Sequence, residues 1–461
     1  MSTRQDGAPE SPTVRSRDDL VQWIADGSKP PSMWRIGTEH EKFVFHTDTL
    51  GPVPYEGPRG IRALMQAMID RFGWEPIMEG ANIIALKRPK GQGAETVSLE
   101  PGGQFELSGA PVATLHETCA ETGEHLTQVT DIGKDLGLGF LGLGFSPTWT
   151  LAETPRMPKQ RYAVMTRYMP EVGQHGLDMM YRTCTIQVNL DFGGEADLVK
   201  KFRVSLALQP IATALFAASP FKEGKPNGYK SLRSEVWRDT DRNRTGMLPF
   251  VFEPGMSFDR YTEYALDVPM YFVYRDGRYI DVAGSSFRDF LEGRLPQMPG
   301  ERPTLDDWSD HLTTLFPEVR MKRFLEMRGA DGGRWRRICG LPAFWVGLLY
   351  DQTALDAAWD LVKDWTAEER QELRDAVPAA ALDARFRRGN VRDIAAEAVA
   401  IARTGLRGRN RRNSKDQDET IHLAFVEETV ATGRTPADDL LQRYAGPWQQ
   451  DINHVFTDHA F

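Results

Sequence analysis

Cysteine is scarce in this chain: Cys119, Cys184 and Cys339 are three residues in 461. They lie far apart, with no CxxC spacing, which excludes a zinc ribbon and a disulfide-dense secreted scaffold while leaving room for one bridge. No stretch reaches the roughly 18 consecutive apolar residues of a membrane-spanning helix. No GxxxxGK[ST] sequence occurs, so a P-loop nucleotide site is excluded. Positive charge is not in excess: 56 Lys and Arg stand against 65 Asp and Glu, a net charge of −9. That argues against a general nucleic-acid partner, which requires a basic footprint. The opening residues, MSTRQDGAPESPTVRSRDD, lack the apolar core of a secretory signal. These absences predict a soluble, cytoplasmic protein with neither a nucleic-acid nor a membrane partner.

What is present is a mixture of strand and helix patterns. Residues 1–16 are polar and predict a disordered tail. The remainder, 17–461, predicts one domain, with a sheet core over 33–334 and a mainly helical part over 335–461. WRIGTEHEKFVFH is strand-like, and strands are expected at 81–88, 95–100, 104–109, 181–192, 250–252, 270–275, 278–282 and 322–328. Helices are expected at 58–73, 114–136 and 195–218, the last bent at Pro210. The LGLGFLGLGF run at 136–145 reads as a buried strand in which glycine permits close packing. The stretch 406–419 is the most loop-like. Strands and helices do not alternate strictly, so an α+β fold is predicted: a mostly antiparallel β-sheet surrounded by helices.

Side chains alternate faces along a strand, so Glu39 and Glu41 point the same way. In SLEPGGQFELSG, Gln104, Glu106 and Ser108 share a face, and the Pro-Gly-Gly turn brings Glu100 back toward Glu106. TCTIQVNLD presents Gln187 and Asn189 opposite an apolar face. In RFLEMRGAD, Glu326 and Arg328 share a face. Taken singly, each reads equally as a solvated sheet face, a hairpin turn or a cross-strand ion pair. Taken together, paired in one sheet, they line a concave polar surface of hard oxygen ligands. Such a surface suits Mg2+, which favours oxygen and commonly binds phosphates, and so points to a nucleotide. Arg233, between two serines, is a candidate for carboxylate or phosphate. Lys159 and Arg161 are weaker phosphate candidates. His40 and His175 read as packed or surface histidines rather than bases.

Beyond these patterns, RIGTEHEKF, SLEPGGQFELSGAP, RTCTIQVNLDF, QPIATALFAASPF, EGKPNGY, TDRNRTGMLPFVF, EMRGADGG and LPAFWVGLLYD resemble glutamate–cysteine ligases of the plant-type group, which includes bacterial members. The resemblance runs from about Arg35 to Asp351 and more loosely beyond. It implies a glutamine-synthetase-like core, a sheet funnel holding ATP and Mg2+, and a monomer or homodimer acting on L-glutamate, L-cysteine and ATP. It implies ligation through γ-glutamyl phosphate to γ-glutamylcysteine, the first step of glutathione biosynthesis. By motif position it implies metal ligation by Glu39, Glu41, Glu100, Glu106 and Glu326, and metal, nucleotide or substrate contacts by Gln187 and Asn189. Arg233 and Arg328 match arginines that bind the glutamate carboxylate or transferred phosphate, and with Glu106 they form the expected catalytic set. Cys119 and Cys339 match one of the two cysteine pairs of plant members. Val282 and Gln297 replace the other pair, so that second bridge cannot form.

Overall fold

In the computed structural model, which describes residues 11–461, the polar-faced strands meet in one nine-stranded sheet. Its strands are β1 (Ile36–His46), β2 (Glu75–Glu79), β3 (Asn82–Lys87), β4 (Thr96–Leu99), β5 (Phe105–Ser108), β6 (Leu138–Leu141), β7 (Thr185–Leu190), β8 (Val319–Met321) and β9 (Leu325–Asp331). They run in the order β8-β9-β7-β1-β5-β4-β3-β2, and β6 pairs with the far half of β1. Every pairing is antiparallel. The α+β expectation holds.

The register explains why β1 is the centre of the molecule. Glu39 lies opposite Gln187 on one side and Ser108 on the other, and Glu41 lies opposite Glu106. Asn189 is opposite Gly37 on one side and Glu326 on the other. The residues between them face the core, as alternation requires. Phe105 and Leu107 pack with Val97, Leu99 and Val129. Ile186, Val188 and Leu190 pack with the long helix Glu195–Phe216 and with Phe344 and Ala398 from the C-terminal third. The helices beyond residue 335 therefore share the core of the sheet.

The helices needed below are α1 (Leu115–Leu136), α2 (Gln160–Val172), α3 (Leu232–Val236), α4 (Trp335–Leu349), α5 (Ala367–Ala380) and α6 (Val391–Arg409). Helix α1 starts with a capping box, Thr114 accepting from the Glu117 N–H, and ends at left-handed Gly137. A disulfide joins its Cys119 to Cys339 of α4, Cα to Cα 5.8 Å, and Cys184 is free and buried. In β6, a Cβ on Gly139 would come within 2.2 Å of the Phe45 ring, so the glycine does permit the close approach expected of this run.

Several local expectations are corrected. Residues 250–252 are not a strand but lie in a 3-10 turn, Pro249–Phe252, because Pro249 has no N–H for a ladder. Helix α6 continues to Arg409, inside the segment expected to be loop. Strand β2 has no counterpart among the expected strands: it lies at the sheet edge, where Pro76 is tolerated and only Ile77 is buried. Of the expected disordered tail 1–16, residues 1–10 lie outside the described residues. Residues 11–16 are held instead, with Val14 buried, its N–H bonded to Pro303 O at 2.8 Å, and Thr13 bridged to Thr304. No helix among the described residues is long and apolar enough to cross a membrane.

Candidate active site

The polar face of the sheet opens into a cleft of about 640 Å³. One wall is acidic, with Glu39 and Glu41 from β1, Glu106 from β5, and Glu100 from the turn before it. The other is basic, with Arg233 from α3, Arg328 from β9 and Arg320 from β8. Met165, Met179, Met180, Trp237 and Phe316 supply the apolar lining. A neighbouring chamber of about 310 Å³ shares Arg233, Arg328, Trp237 and Phe316, and adds Glu318 and Arg374.

Each carboxylate is held by its neighbours. Glu106 accepts from the Ser98 hydroxyl at 2.8 Å and the Ser108 hydroxyl at 3.0 Å. Glu41 accepts the Thr185 N–H at 2.9 Å, and Glu39 accepts the Asn189 amide at 2.8 Å. Near Glu100, Tyr162 and Lys159 of the α2 region both donate to Leu99 O, at 2.7 and 2.8 Å. Like charges directly opposite on paired strands destabilise a sheet, and Glu41 and Glu106 are such a pair.

The electrostatics follow from burial and crowding. Burial first, then the charges of Glu100 and Glu106, push Glu41 well above the usual carboxylate range. Burial and Glu326 raise Glu39. Burial and Glu106 push Glu100 up to about 7. Burial acts against Glu106 as well, but its two serine donors help to hold it below its ordinary value. Four crowded carboxylates, Glu100 and Glu106 buried and Glu39 and Glu41 partly so, resist ionising together and form a site that a cation completes, and their oxygens are the donor type of a hard divalent ion. The residues present fit Mg2+.

Glu326 differs from these four. It is buried, outside the cleft lining, and Arg320 grips it with both nitrogens at 2.8–3.0 Å while Arg328 pairs with it from the same strand. Burial would raise its pKa, but the two guanidiniums hold it far below the usual range. Arg328 also donates to Gln187 at 2.6 Å, so Gln187 orients this arginine at the cleft wall. Asn189 is not in the cleft lining either and contributes through its hydrogen bond to Glu39.

Arg233 is buried on α3, and its Nη2 donates to Arg328 O at 2.8 Å. The chain leading to it is fixed by Asp331, which accepts from Ala218 N–H, Ser219 Oγ and Ser231 Oγ at 2.7–2.8 Å. Lys159 lies behind Glu100, and Arg161 lines a separate small cavity with Met165 and Phe316. His40 points into the core, edge-on to the His125 ring, and His175 lies outside the cleft. Sequence reasoning did not identify Arg320, Glu318, Trp237 or Arg374. The first two alternate in PEVRMKR, the same signal that revealed Glu39 and Glu41. Arg374 sits on α5 and no local pattern connects it to the sheet.

Comparison with known proteins completes the description. The model of Glutamate-cysteine ligase family 2 (GCS2) matches residues 35–458. The chain is 57% identical over 443 residues to glutamate–cysteine ligase B, chloroplastic, of Oryza sativa subsp. japonica, covering 96% of this chain and 87% of that one. The chloroplastic enzymes of Nicotiana tabacum and Arabidopsis thaliana are 57% and 56% identical, each covering 96% of this chain and 82% of theirs. Its fold is similar to a glutamate–cysteine ligase of Francisella tularensis solved in complex with AMP, with a TM-score of 0.50 at 14% identity, covering 92% and 89% of the two chains. These relatives correct the expectation of a cytoplasmic protein, since all three plant enzymes are chloroplastic. The physical reason is that plastid import does not use an apolar signal core, so its absence from the first residues carried no weight. On this match, and with a cleft built from the same motifs, the chain belongs to glutamate–cysteine ligase family 2.

Proposed function

We propose that the cleft between the acidic and arginine walls is where L-glutamate is activated and joined to L-cysteine. The activity is that of a glutamate–cysteine ligase, an ATP-dependent enzyme that forms γ-glutamylcysteine, the first product of glutathione biosynthesis. The γ-carboxylate oxygen attacks the γ-phosphorus of ATP and ADP leaves. The cysteine amine then attacks the γ-carbonyl carbon, phosphate leaves, and the amine gives up its proton. The observation that carries this reading is the opposition of two walls in one cleft: four carboxylates on β1, β5 and the turn before β5 face three arginines.

In this reading Glu39, Glu41, Glu100 and Glu106 hold Mg2+, which when bound neutralises phosphate charge and aligns the nucleotide. Ser98, Ser108, Thr185 and Asn189 orient those carboxylates. Arg328 and Arg233 face the transferred phosphoryl group or the glutamate carboxylate, where bidentate cationic donors stabilise developing negative charge. Glu326 and Gln187 fix the direction of Arg328. The methionines, Trp237 and Phe316 limit water around the acyl phosphate, which water would otherwise hydrolyse.

The test is release of ADP by the purified chain with glutamate, ATP and Mg2+, with cysteine compared against a panel of other amines. Turnover is expected to require glutamate and to be fastest with cysteine. Equal turnover with unrelated amines would reassign the acceptor, and ADP release without glutamate would overturn the reading.

A further inference from the structure

Away from the cleft, three metal-ligating side chains from three separate elements converge: Cys119 on α1, Cys339 on α4 and His422 in the 3-10 turn Glu419–Leu423. Their sulfur and nitrogen atoms lie within 4.8 Å of one another. The His422 Nδ1 is 3.3 Å from Cys119 Sγ. Its other nitrogen, Nε2, is 3.0 Å from His116 Nδ1, and His116 Nε2 is 3.4 Å from Arg411 O.

That chain of contacts fixes where the protons are. A carbonyl oxygen only accepts, so in the neutral ring His116 Nε2 carries the hydrogen and His116 Nδ1 is a lone pair. His422 Nε2 therefore donates, and His422 Nδ1 is left as a lone pair directed at the sulfurs. While the sulfurs are joined, no hydrogen there can meet that lone pair. An imidazole whose far N–H is fixed by a second acceptor is the arrangement seen behind metal-bound histidines.

We propose that Cys119, Cys339 and His422 form a second metal site, for a soft divalent cation of the zinc class, when their disulfide is reduced. A dithiol supplies two electrons and two protons: the Cys119–Cys339 bond breaks, both sulfurs become thiols, and the dithiol closes to its own disulfide. Both thiols release their protons as the thiolates bind the cation, and His422 Nδ1 is the third donor. Two thiolates on one tetrahedral zinc sit roughly 3.8 Å apart, which side-chain torsion reaches from Cα atoms 5.8 Å apart. Cys119 and His422 are only half-buried, so water completes the fourth position. Two sulfurs and one imidazole nitrogen select this ion over Mg2+, the reverse of the all-oxygen cleft. The disulfide and the metal are thus mutually exclusive states of one cysteine pair, and the bound ion blocks reoxidation.

The probe is Cd2+, added to the full chain after dithiothreitol reduction and removal of the dithiol, in excess Mg2+ to occupy the acidic cleft. The reduced chain is expected to take up one equivalent with the ultraviolet charge-transfer absorption of cadmium thiolate, and the oxidised chain none. His422→Gln should weaken binding more than tenfold, and His116→Gln by about tenfold as the outer partner. Bound Cd2+ should also slow re-formation of the disulfide by diamide, read as the mass after alkylation. No thiolate absorption in the reduced chain, or unchanged affinity in both histidine variants, would overturn the proposal.

Discussion

Glu41 and Glu106 face each other directly across the β1–β5 ladder. Each is a poor neighbour for the other, and the pairing has a measurable cost. Burial and the adjacent carboxylates lift Glu39 and Glu41, and Glu100 rises from 4.5 to about 7. A carboxyl with a raised folded-state pKa binds more protons folded than unfolded, so stability falls as pH rises through that interval. In chelator, the denaturant midpoint is expected to fall between pH 4.5 and 7, and Mg2+ should flatten that fall. A midpoint equally pH-dependent with and without Mg2+ would count against the carboxylates as its ligands. Glu106→Gln removes one oxygen ligand while leaving Ser98 and Ser108 a partner. The folded variant is expected to need about 10–100-fold more Mg2+ for half-maximal turnover; wild-type Mg2+ dependence would remove Glu106 from the site.

Glu326 makes the opposite case at the same scale. Its two arginine partners are the wall of the cleft, so losing the carboxylate leaves cations buried and unpaired. Glu326→Ala is expected to lower unfolding free energy by about 3–5 kcal/mol, measured by urea titration. A loss of activity with unchanged stability would point to direct ligation instead. Alternation placed Glu39, Glu41, Glu106, Gln187 and Arg328 on the correct faces from sequence, because strand geometry is local. It could not separate Glu326 or Asn189 from the cleft, because their partners, Arg320 and Glu39, are set by register between strands.

At the scale of elements, β6 shows what the glycine run does. Gly139 lies where the Phe45 ring of β1 passes, and a methyl group there has no room. Gly139→Ala is expected to lower stability by about 1–3 kcal/mol through forced displacement of that ring, read from thermal unfolding. An unchanged midpoint would mean that β6 shifts freely. Helix α5 reaches the site from the far end of the chain: Arg374 pairs with Glu318 and donates to Ser234 O at 2.9 Å, next to Arg233. This link was invisible in sequence because α5 reads as an ordinary amphipathic helix. What was readable was each element's own pattern; what was not was which distant element completes the wall. The misplaced strand at 250–252 has the same origin, an apolar run judged without regard to Pro249.

At the scale of the molecule, we propose residues 17–461 as one folding unit. Phe344 and Ala398 lie in the same core as Ile186 and Val188, so removing everything after residue 334 would expose the apolar back of the sheet. That truncation is expected to yield insoluble protein, and a soluble, cooperatively unfolding fragment would show two units. The disulfide crosses this same divide, tying residues 220 positions apart. Reduction is expected to lower stability by about 2–5 kcal/mol through the greater freedom of the unfolded chain, compared by denaturant titration with and without dithiol.

The face-to-face carboxylates at the centre of the sheet also have a consequence for the lifetime of the protein. On the proposed assignment of Mg2+ to these carboxylates, a bound ion would relieve their repulsion, so free Mg2+ would set how often β1 and β5 come apart and how often proteases reach the chain. Cells short of the ion would then lose the enzyme itself faster than they replace it, and recovery after the ion returns would wait on new synthesis.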